Sequence, residues 1–384
     1  MKATQISIGR YHHFHLARQL EKRGLLSRIY TGYPKFKLRD EDGIPPEKIH
    51  TFPWIYTPFI ALNRFGLSDR TSKGMVWLAC NSLDRFVASQ VKEPTSLIAL
   101  SGIGLHAGKK TQRTGGIYIC DRGSSHIRFQ NNILHEEYKR WKLDFPGVDP
   151  RMIRKEEEEY AAADYISLPS EFVRRTFIEK GIPENKLIKI PYGARLERFY
   201  KEGEAPDDSF RVLWVGTVSI RKGFFYLLEA FAQFKHPKKE LIVVGPVMDE
   251  IKNGLSERNL DNVVFKGVVA NQELRQIYST AHAFVLPSLE EGLAMVQGEA
   301  LACGCPVIAT SHTGAEDLFT DGVEGFIVPI RSSQAITHRL NELASDRNKQ
   351  KAMSAAAIGR VRSVKGWDTY GSNFEKLIKS FQPR

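Results

Sequence analysis

The chain has 384 residues, of which 42% are hydrophobic, and it carries a formal net charge of +11. This length suffices for two domains that each bury a core. No apolar run approaches the roughly 20 residues of a membrane-spanning helix, and the first residues lack the pattern of a signal peptide. The four cysteines (Cys80, Cys120, Cys303 and Cys305) lack zinc-ligand spacing. We therefore expect a reduced, cytoplasmic protein, either soluble or peripheral to a membrane.

The positive charge is confined to the first half of the chain. Residues 1–200 contain 33 lysines and arginines against 22 acidic residues, whereas residues 201–384 contain 22 of each. A basic half suits nucleic acid, an anionic membrane or a phosphate-bearing ligand, although a merely basic soluble domain is also possible. No alternation of basic and aromatic residues resembles a nucleic-acid module, so we expect no nucleic-acid partner.

The amino-terminal half predicts an irregular series of strands and helices. Residues 5–9 predict a first strand, and apolar positions at helical spacing predict a helix around Phe14 to Leu20. Further strands are predicted at 96–100, at 116–120 and after Asp164. Residues 43–67, rich in proline and aromatic residues, predict loop and short helix, and they are a candidate for contact with a membrane or an acceptor.

Two acidic runs are interpreted as solvated. Asp40-Glu41-Asp42 lies in a charged loop before Gly43, with no strand leading into it, and therefore predicts no metal site. Residues 156–159, four consecutive glutamates, predict the water-facing side of a helix.

The carboxy-terminal half predicts regular alternation of strands and helices. Apolar, β-branched runs begin near residues 211, 240, 262, 283, 306 and 325, with helical patterns between them. This spacing is typical of βαβ units and a parallel sheet, whose ligands bind at the carboxyl ends of the strands. We expect domains at 1–192 and 193–365, with a boundary near Pro191–Arg195, and a terminal helix within 366–384.

The most informative segment runs from Pro287 to Ala309. An apolar run ends in a turn that contains Glu291, and seven residues separate this glutamate from Glu299 in the predicted helix that follows. Unpaired backbone N–H groups at the start of that helix would face an anion such as phosphate. The residues expected to present them are Gly292, Leu293 and Ala294.

This segment resembles the donor site of the retaining glycosyltransferases of family 4, the glycosyl transferases group 1. The resemblance implies an α/β fold of the GT-B type, in which two Rossmann-like domains with parallel sheets face each other across a cleft. It also implies that Glu291 contacts the transferred sugar and that Glu299 binds the nucleotide ribose. The configuration would be retained by front-face attack of the acceptor, without a covalent nucleophile. The terminal helix would cross back onto the first domain, although its spacing equally suits capping its own domain.

A second donor element follows the strand that ends at Gly216. A basic pair, Arg221-Lys222, begins the next helix and would stabilise a departing diphosphate, although an exposed pair is the alternative. By resemblance, Lys222 binds the diphosphate. Members of the family often carry an arginine directly after the glycine, where this chain has Thr217, and we expect Arg221 to replace it. The nucleotide base would lie near Val269.

The acceptor side is less regular. By resemblance, Gly9 begins the amino-terminal loop near the donor diphosphate and the acceptor, and Arg10, Tyr11 and His12 are candidate acceptor contacts. The neighbouring histidines 12, 13 and 15 have spacings that do not converge, so no metal is expected.

After the strand ending at Cys120, Asp121 stands where many members of the family have a histidine. Asp121 would orient the acceptor hydroxyl or pair with an arginine, and Arg122 and His126 are candidate acceptor contacts. The predicted catalytic residues are therefore Glu291, Asp121 and Lys222.

We expect transfer of a hexose from a UDP- or GDP-linked sugar to a membrane-linked or phosphorylated glycan or lipid, in cell-surface polysaccharide or glycolipid synthesis. No metal or other cofactor is expected, and the basic half predicts peripheral contact with an anionic membrane. The alternatives are a transferase with a soluble acceptor, as in sucrose or trehalose formation, and a non-catalytic descendant that binds nucleotide or lipid. The presence of Glu291, Glu299 and Lys222 favours an enzyme.

Overall fold

The computed structural model describes residues 1–63, 66–193, 198–361 and 366–381. Two parallel sheets organise these residues, with seven strands in the first and six in the second. The predicted GT-B architecture of two doubly wound domains is confirmed.

The first sheet has the order β3-β2-β1-β4-β5-β6-β7. Its strands are β1 (Ala3–Ser7), β2 (Leu26–Thr31), β3 (Ile49–Thr51), β4 (Ser96–Leu100), β5 (Ile117–Asp121), β6 (Tyr165–Leu168) and β7 (Leu187–Lys189). The helices among them are α1 (His12–Lys22), α2 (Tyr56–Asn63), α3 (Asp69–Gln90), α4 (Leu105–Arg113), α5 (Ile127–Arg140), α6 (Pro150–Ala162) and α7 (Glu171–Glu179). Strands β2, β3 and β7 were not predicted.

The second sheet has the order β10-β9-β8-β11-β12-β13. Its strands are β8 (Phe210–Val215), β9 (Lys239–Val244), β10 (Val263–Gly267), β11 (Ala283–Leu286), β12 (Val307–Thr310) and β13 (Gly325–Val328). The helices are α8 (Phe224–Gln233), α9 (Asp249–Ser256), α10 (Asn271–Ser279), α11 (Met295–Ala302), α12 (Ala315–Leu318), α13 (Ser333–Ser345), α14 (Arg347–Val361) and α15 (Trp367–Lys379). All six predicted strands are present.

Continuous apolar runs form the central strands because helices cover both faces of each sheet. Val212, Leu213 and Trp214 in β8 are completely buried, as are Phe284 and Val285 in β11. Among the described helices, none has both the length and the apolar character needed to cross a bilayer.

The two sheets are separated in sequence by the residues between Lys189 and Phe210. The predicted boundary near Pro191–Arg195 falls there, although residues 194–197 lie outside the described part of the chain, and the predicted domain limits remain predictions. Helix α15 lies against α1 of the first domain. Arg23, the C-cap of α1, pairs with Glu375 at 3.0 Å and with Asp368 at 2.9 Å, and a Cβ on Gly371 would approach the Gln19 side chain to 2.4 Å.

The interpretation of residues 156–159 as a solvated face is wrong for two of the four glutamates. Glu156 and Glu159 are buried. The Glu159 carboxylate accepts hydrogen bonds from the backbone N–H groups of Gly104 and Leu105, where α4 begins. Glu41, in the other acidic run, is also buried, and it pairs with Arg10 at 2.6 Å and with Arg18. A buried carboxylate is costly unless it is paired, and the cations and backbone N–H groups around these glutamates supply the partners that water would give an exposed one.

Candidate active site

The candidate donor site is built where two loops meet at the carboxyl edge of the second sheet. Strands β8 and β11 are neighbours, so the loops that follow them lie side by side. The Leu289 N–H donates to the Arg221 carbonyl at 2.9 Å. Gly223 has a φ of 68°, and a Cβ there would come within 2.0 Å of the Pro287 carbonyl oxygen. This close approach fixes the basic pair beside the glutamates.

The basic pair and the glutamates form ion pairs. Lys222 Nζ contacts Glu291 Oε1, and Arg221 Nη2 lies 2.9 Å from Glu290 Oε2 and 3.9 Å from Glu291 Oε2. Burial alone would lower the pKa of Arg221, but the Glu290 and Glu291 carboxylates raise it. The cations predicted to bind a diphosphate are therefore held together by two carboxylates.

Glu290, which the sequence did not single out, joins the two domains. Its side chain is fully buried and accepts from Ser125 N–H at 2.9 Å, Ser125 Oγ at 2.8 Å, Ser124 Oγ at 2.6 Å and Gln130 Nε2 at 2.9 Å. Burial alone would raise the pKa of Glu290, but Arg221 and these donors lower it to about 2. The Glu290 carboxylate of the second domain thus accepts the hydrogen bonds that Ser124, Ser125 and Gln130 of the first domain would otherwise donate to water.

Backbone groups of the two domains also contact each other beside Glu290. A Cβ on Gly292 would lie 1.9 Å from the Gly123 carbonyl oxygen, so only glycine fits there. Ser170 Oγ donates to the Gly292 carbonyl at 2.6 Å. These contacts place the loops after β5 and β6 directly against the loop that carries Glu291.

Helix α11 begins at Met295, and Ala294 is its N-cap. The Ala294 N–H was predicted to be unpaired, but it donates to the Thr313 carbonyl at 3.1 Å. Leu293 and Ala294 are buried, and Gly292 is occupied by its contact with Gly123. A phosphate at this helix would have to use N–H groups other than that of Ala294.

Glu299 lies within α11, where its carboxylate accepts from the Tyr278 hydroxyl at 3.3 Å. Burial raises the pKa of Glu299 to about 7. A carboxyl group poised this way gains from hydroxyl donors, and ribose hydroxyls are of that kind. The geometry is compatible with the predicted ribose contact.

Replacing Glu299 with glutamine is expected to stabilise the free protein at pH 8. Because the pKa of Glu299 is raised on folding, the folded chain binds more protons than the unfolded chain between the two pKa values, and stability falls as pH rises through that window. Glutamine removes this loss, so the free energy of unfolding should rise by about 3 kcal/mol at pH 8 and stay unchanged below about pH 4.5. Urea unfolding at both values tests this. Exposed Glu257→Gln is the control, and equal shifts at both pH values would contradict the expectation.

On the facing domain, Asp121 ends β5 and binds two histidines from α1. Its Oδ2 lies 2.5 Å from His12 Nε2 and 3.0 Å from His13 Nε2, and its Oδ1 accepts from Ser167 Oγ at 2.6 Å. Burial alone would raise the pKa of Asp121, but the histidines hold it well below its ordinary range. Burial lowers the pKa of His13. Among the described residues, Asp121 therefore pairs with histidines and not with an arginine.

The prediction that the neighbouring histidines do not converge is wrong for His12 and His13. Their ligand atoms and that of Asp121 lie within 4.8 Å of one another, a spacing that could hold a metal ion. Both histidine nitrogens nevertheless contact the same carboxylate oxygen, so Asp121 has partners without an ion. The geometry alone does not call for a metal.

Arg122 and His126 are buried, and their side chains contact other groups of the first domain. The Arg122 guanidinium is buried and donates to Glu156 at 2.7 Å, to Gln130 at 3.0 Å and to the Ser125 carbonyl at 2.9 Å. His126 is buried against Tyr160 and caps α5, and burial lowers its pKa to about 4. Both residues support the loop, and their predicted contact with an acceptor stays a prediction.

The remaining predicted residues lie around the cleft or at the edge of the second sheet. Arg10 is half-exposed and pairs with Glu41, whereas Tyr11 is 49% exposed. Gly9 lies against the Tyr11 ring. On the other domain, Gly216 and Thr217 follow β8, and Val269 follows β10 and packs against the core.

The structure brings together Arg221, Lys222 and Glu291, and it places the loop after Asp121 against them. Sequence reasoning missed Glu290, Ser124, Ser125, Gln130 and Ser170. The only signal was the second glutamate beside Glu291, together with two adjacent serines after β5. These residues connect the domains, and their partners lie far away in sequence.

Two doubly wound domains that face each other across a cleft, with cations and carboxylates at the strand ends, define the GT-B class. Residues 197–360 match the family of Glycosyl transferases group 1. The predicted resemblance is confirmed for this part of the chain.

Relatives and solved structures agree with this assignment. The lipopolysaccharide 1,2-N-acetylglucosaminetransferase of Salmonella typhimurium is 26% identical over 56% of this chain and 62% of its own length. The GDP-mannose-dependent alpha-(1-6)-phosphatidylinositol monomannoside mannosyltransferase of Mycolicibacterium smegmatis is 28% identical over 56% of this chain and 62% of its own. The chain thus spans less than two thirds of the length of these relatives.

A crystal structure of Anabaena HepE in complex with UDP and glucose superposes with a TM-score of 0.70 at 18% identity. It covers 99% of this chain and 100% of HepE. At this identity the likeness extends to the fold alone.

Proposed function

We propose that this chain is a retaining glycosyltransferase that moves a hexose from a UDP- or GDP-linked sugar to a membrane-linked or phosphorylated glycan or lipid. The reaction would serve cell-surface polysaccharide or glycolipid synthesis. The observation that carries the proposal is the cluster of Arg221, Lys222 and Glu291 at the strand ends of a group 1 domain, with the loop that follows Asp121 packed against it.

Each residue has a distinct proposed role. Lys222 and Arg221 neutralise the charge that develops on the departing diphosphate. Glu291, released from Lys222, accepts from a hydroxyl of the transferred sugar, and Glu299 accepts from the ribose. Asp121 holds His12 at the edge of the cleft, where the imidazole orients the acceptor hydroxyl. A departing diphosphate oxygen takes the acceptor proton, and no metal takes part.

The donor nucleotide and the acceptor class rest on different supports. Relatives named for GDP-mannose and a structural neighbour with bound UDP leave both nucleotides open. Relatives named for lipopolysaccharide and for a phosphatidylinositol mannoside favour an amphiphilic acceptor. Such an acceptor also suits the basic amino-terminal half and peripheral membrane contact.

Titration calorimetry with UDP, GDP, ADP and CMP tests the donor site. We expect one nucleotide to bind and Lys222→Ala to weaken it about 10–100-fold, because a charge-assisted phosphate contact is lost. Lys252→Ala is the matched control, since Lys252 is exposed and its one ion pair within the described part of the chain is with Asp249. If no nucleotide binds, or if both variants bind like the wild type, the donor site is wrong.

A further inference from the structure

Helix α2 and the turn before it present an apolar face to the solvent. The exposed positions between residues 54 and 62 are Trp54, Pro58, Ala61 and Leu62. Trp54 is 75% exposed and Leu62 is 47% exposed. Within the helix, Ala61 and Leu62 lie three and four residues after Pro58, so the three share one side, where a helix in water carries polar residues, and Trp54 lies in the turn before them.

This segment is attached to the protein by its other side. Helix α2 contains no charged and no fully buried residue. Phe52, Ile55 and Tyr56 pack against the core of the first domain. The core therefore holds the start of the helix, while its outer stripe has no partner among the described residues.

A basic turn borders the same face. Lys35, Lys37 and Arg39 are exposed, and none of them forms an ion pair with another described residue. Phe36 between them is 58% exposed. A cavity of about 150 Å³ separates this turn from α2, and its lining includes Phe36, Lys37, Ile60 and Ala61.

The face lies at the rim of the candidate active site. Burial raises the pKa of Tyr56, and the nearby Tyr11 side chain, in the loop that begins at Gly9, raises it further, so the two side chains are neighbours. A Cβ on Gly32, at the end of β2, would lie 3.2 Å from Tyr56 Cβ and 2.8 Å from the Ile8 carbonyl oxygen. The start of α2 is therefore beside the carboxyl ends of β1 and β2.

We propose that residues 35–39 and 54–62 form the surface by which the protein docks on an anionic lipid bilayer, a role that rests on the proposed membrane-linked acceptor. Trp54, Phe36 and Leu62 would enter the interfacial region, where tryptophan is favoured. Lys35, Lys37 and Arg39 would meet lipid phosphates. A second copy of the chain is a poorer occupant, because a symmetric contact would bring the same cations together.

Vesicle flotation of the full chain tests this surface. Wild-type protein should bind phosphatidylglycerol-rich vesicles and not phosphatidylcholine vesicles at low salt. Trp54→Ser with Leu62→Ser, and separately Lys35→Ala with Lys37→Ala, should each weaken binding about tenfold. Met248→Ser with Val323→Ser is the matched control, because these side chains are 46% and 48% exposed on the other domain.

Fluorescence quenching by brominated lipids gives a second readout. Wild-type protein should be quenched on binding, and Trp54→Phe should bind vesicles but lose most of the quenching. Binding of the Trp54/Leu62 variant equal to that of the control would overturn the proposal. The proposal would also be overturned if the wild type were a dimer in the absence of vesicles and the Trp54/Leu62 variant were a monomer. Neither readout needs donor or turnover, so failure here with nucleotide binding intact would refute the surface and leave the donor site standing.

Discussion

Glu291→Gln is expected to lower turnover about 10²–10³-fold while changing nucleotide affinity little. Glutamine keeps the shape of the side chain but removes its negative charge. That charge pairs with Lys222 and stabilises the positive charge that develops on the sugar. Its amide also cannot accept as strongly from a sugar hydroxyl. Nucleotide release from the UDP- or GDP-hexose selected by calorimetry measures the loss.

Glu257→Gln is the control for this experiment, because Glu257 is an exposed glutamate of the same domain. Lys222→Ala should differ from Glu291→Gln in that it weakens nucleotide binding as well as slowing turnover. If Glu291→Gln stays within about threefold of the wild type, Glu291 has no contact that strengthens in the transition state.

The carboxy-terminal fold and its donor motif were readable because the determining contacts are local. Each strand of the second sheet is an apolar run closed by a turn, and the spacing of Glu291 and Glu299 is contained within one turn and one helix. Only the adjacency of β8 and β11 then had to be inferred from the doubly wound topology, and it brings Lys222 to Glu291.

The first domain was harder because its strands are short or carry polar residues. β3 and β7 have three residues each, and β2 contains exposed Arg28 within an otherwise buried run. Such segments lack the continuous apolar pattern that predicts a strand. Their place in the sheet is decided by pairing with neighbours distant in sequence.

Buried charges were misjudged for the same reason. Glu156 looked like part of a solvated acidic run, and Arg122 looked available for a ligand, but each is the buried partner of the other across 34 positions of sequence. Likewise, His12 and His13 converge only because Asp121 is brought to them from β5. A charge pattern along the chain cannot reveal a partner on another element.

Glu290 is a fully buried charge at the interface between the domains, so it depends on its partners more than an exposed residue would. It is a buried carboxylate with donors from Ser124, Ser125 and Gln130 on one domain and Arg221 on its own. The pair of Arg175 with Glu316 also joins the domains, at 2.6 Å, but both side chains are substantially exposed. The chain therefore contains a buried and an exposed version of the same kind of interdomain contact.

Glu290→Ala is expected to destabilise the closed molecule by about 3 kcal/mol, because it leaves buried donors and an arginine without their acceptor. Glu316→Ala should cost less than about 1 kcal/mol, since water replaces an exposed partner. Urea unfolding measures both, and amide hydrogen exchange should rise around Ser125 in the first variant alone. Equal effects of the two substitutions would mean that Glu290 does not hold the domains together. A large effect confined to Glu290→Ala would mean that donor-site residues also set how the cleft closes.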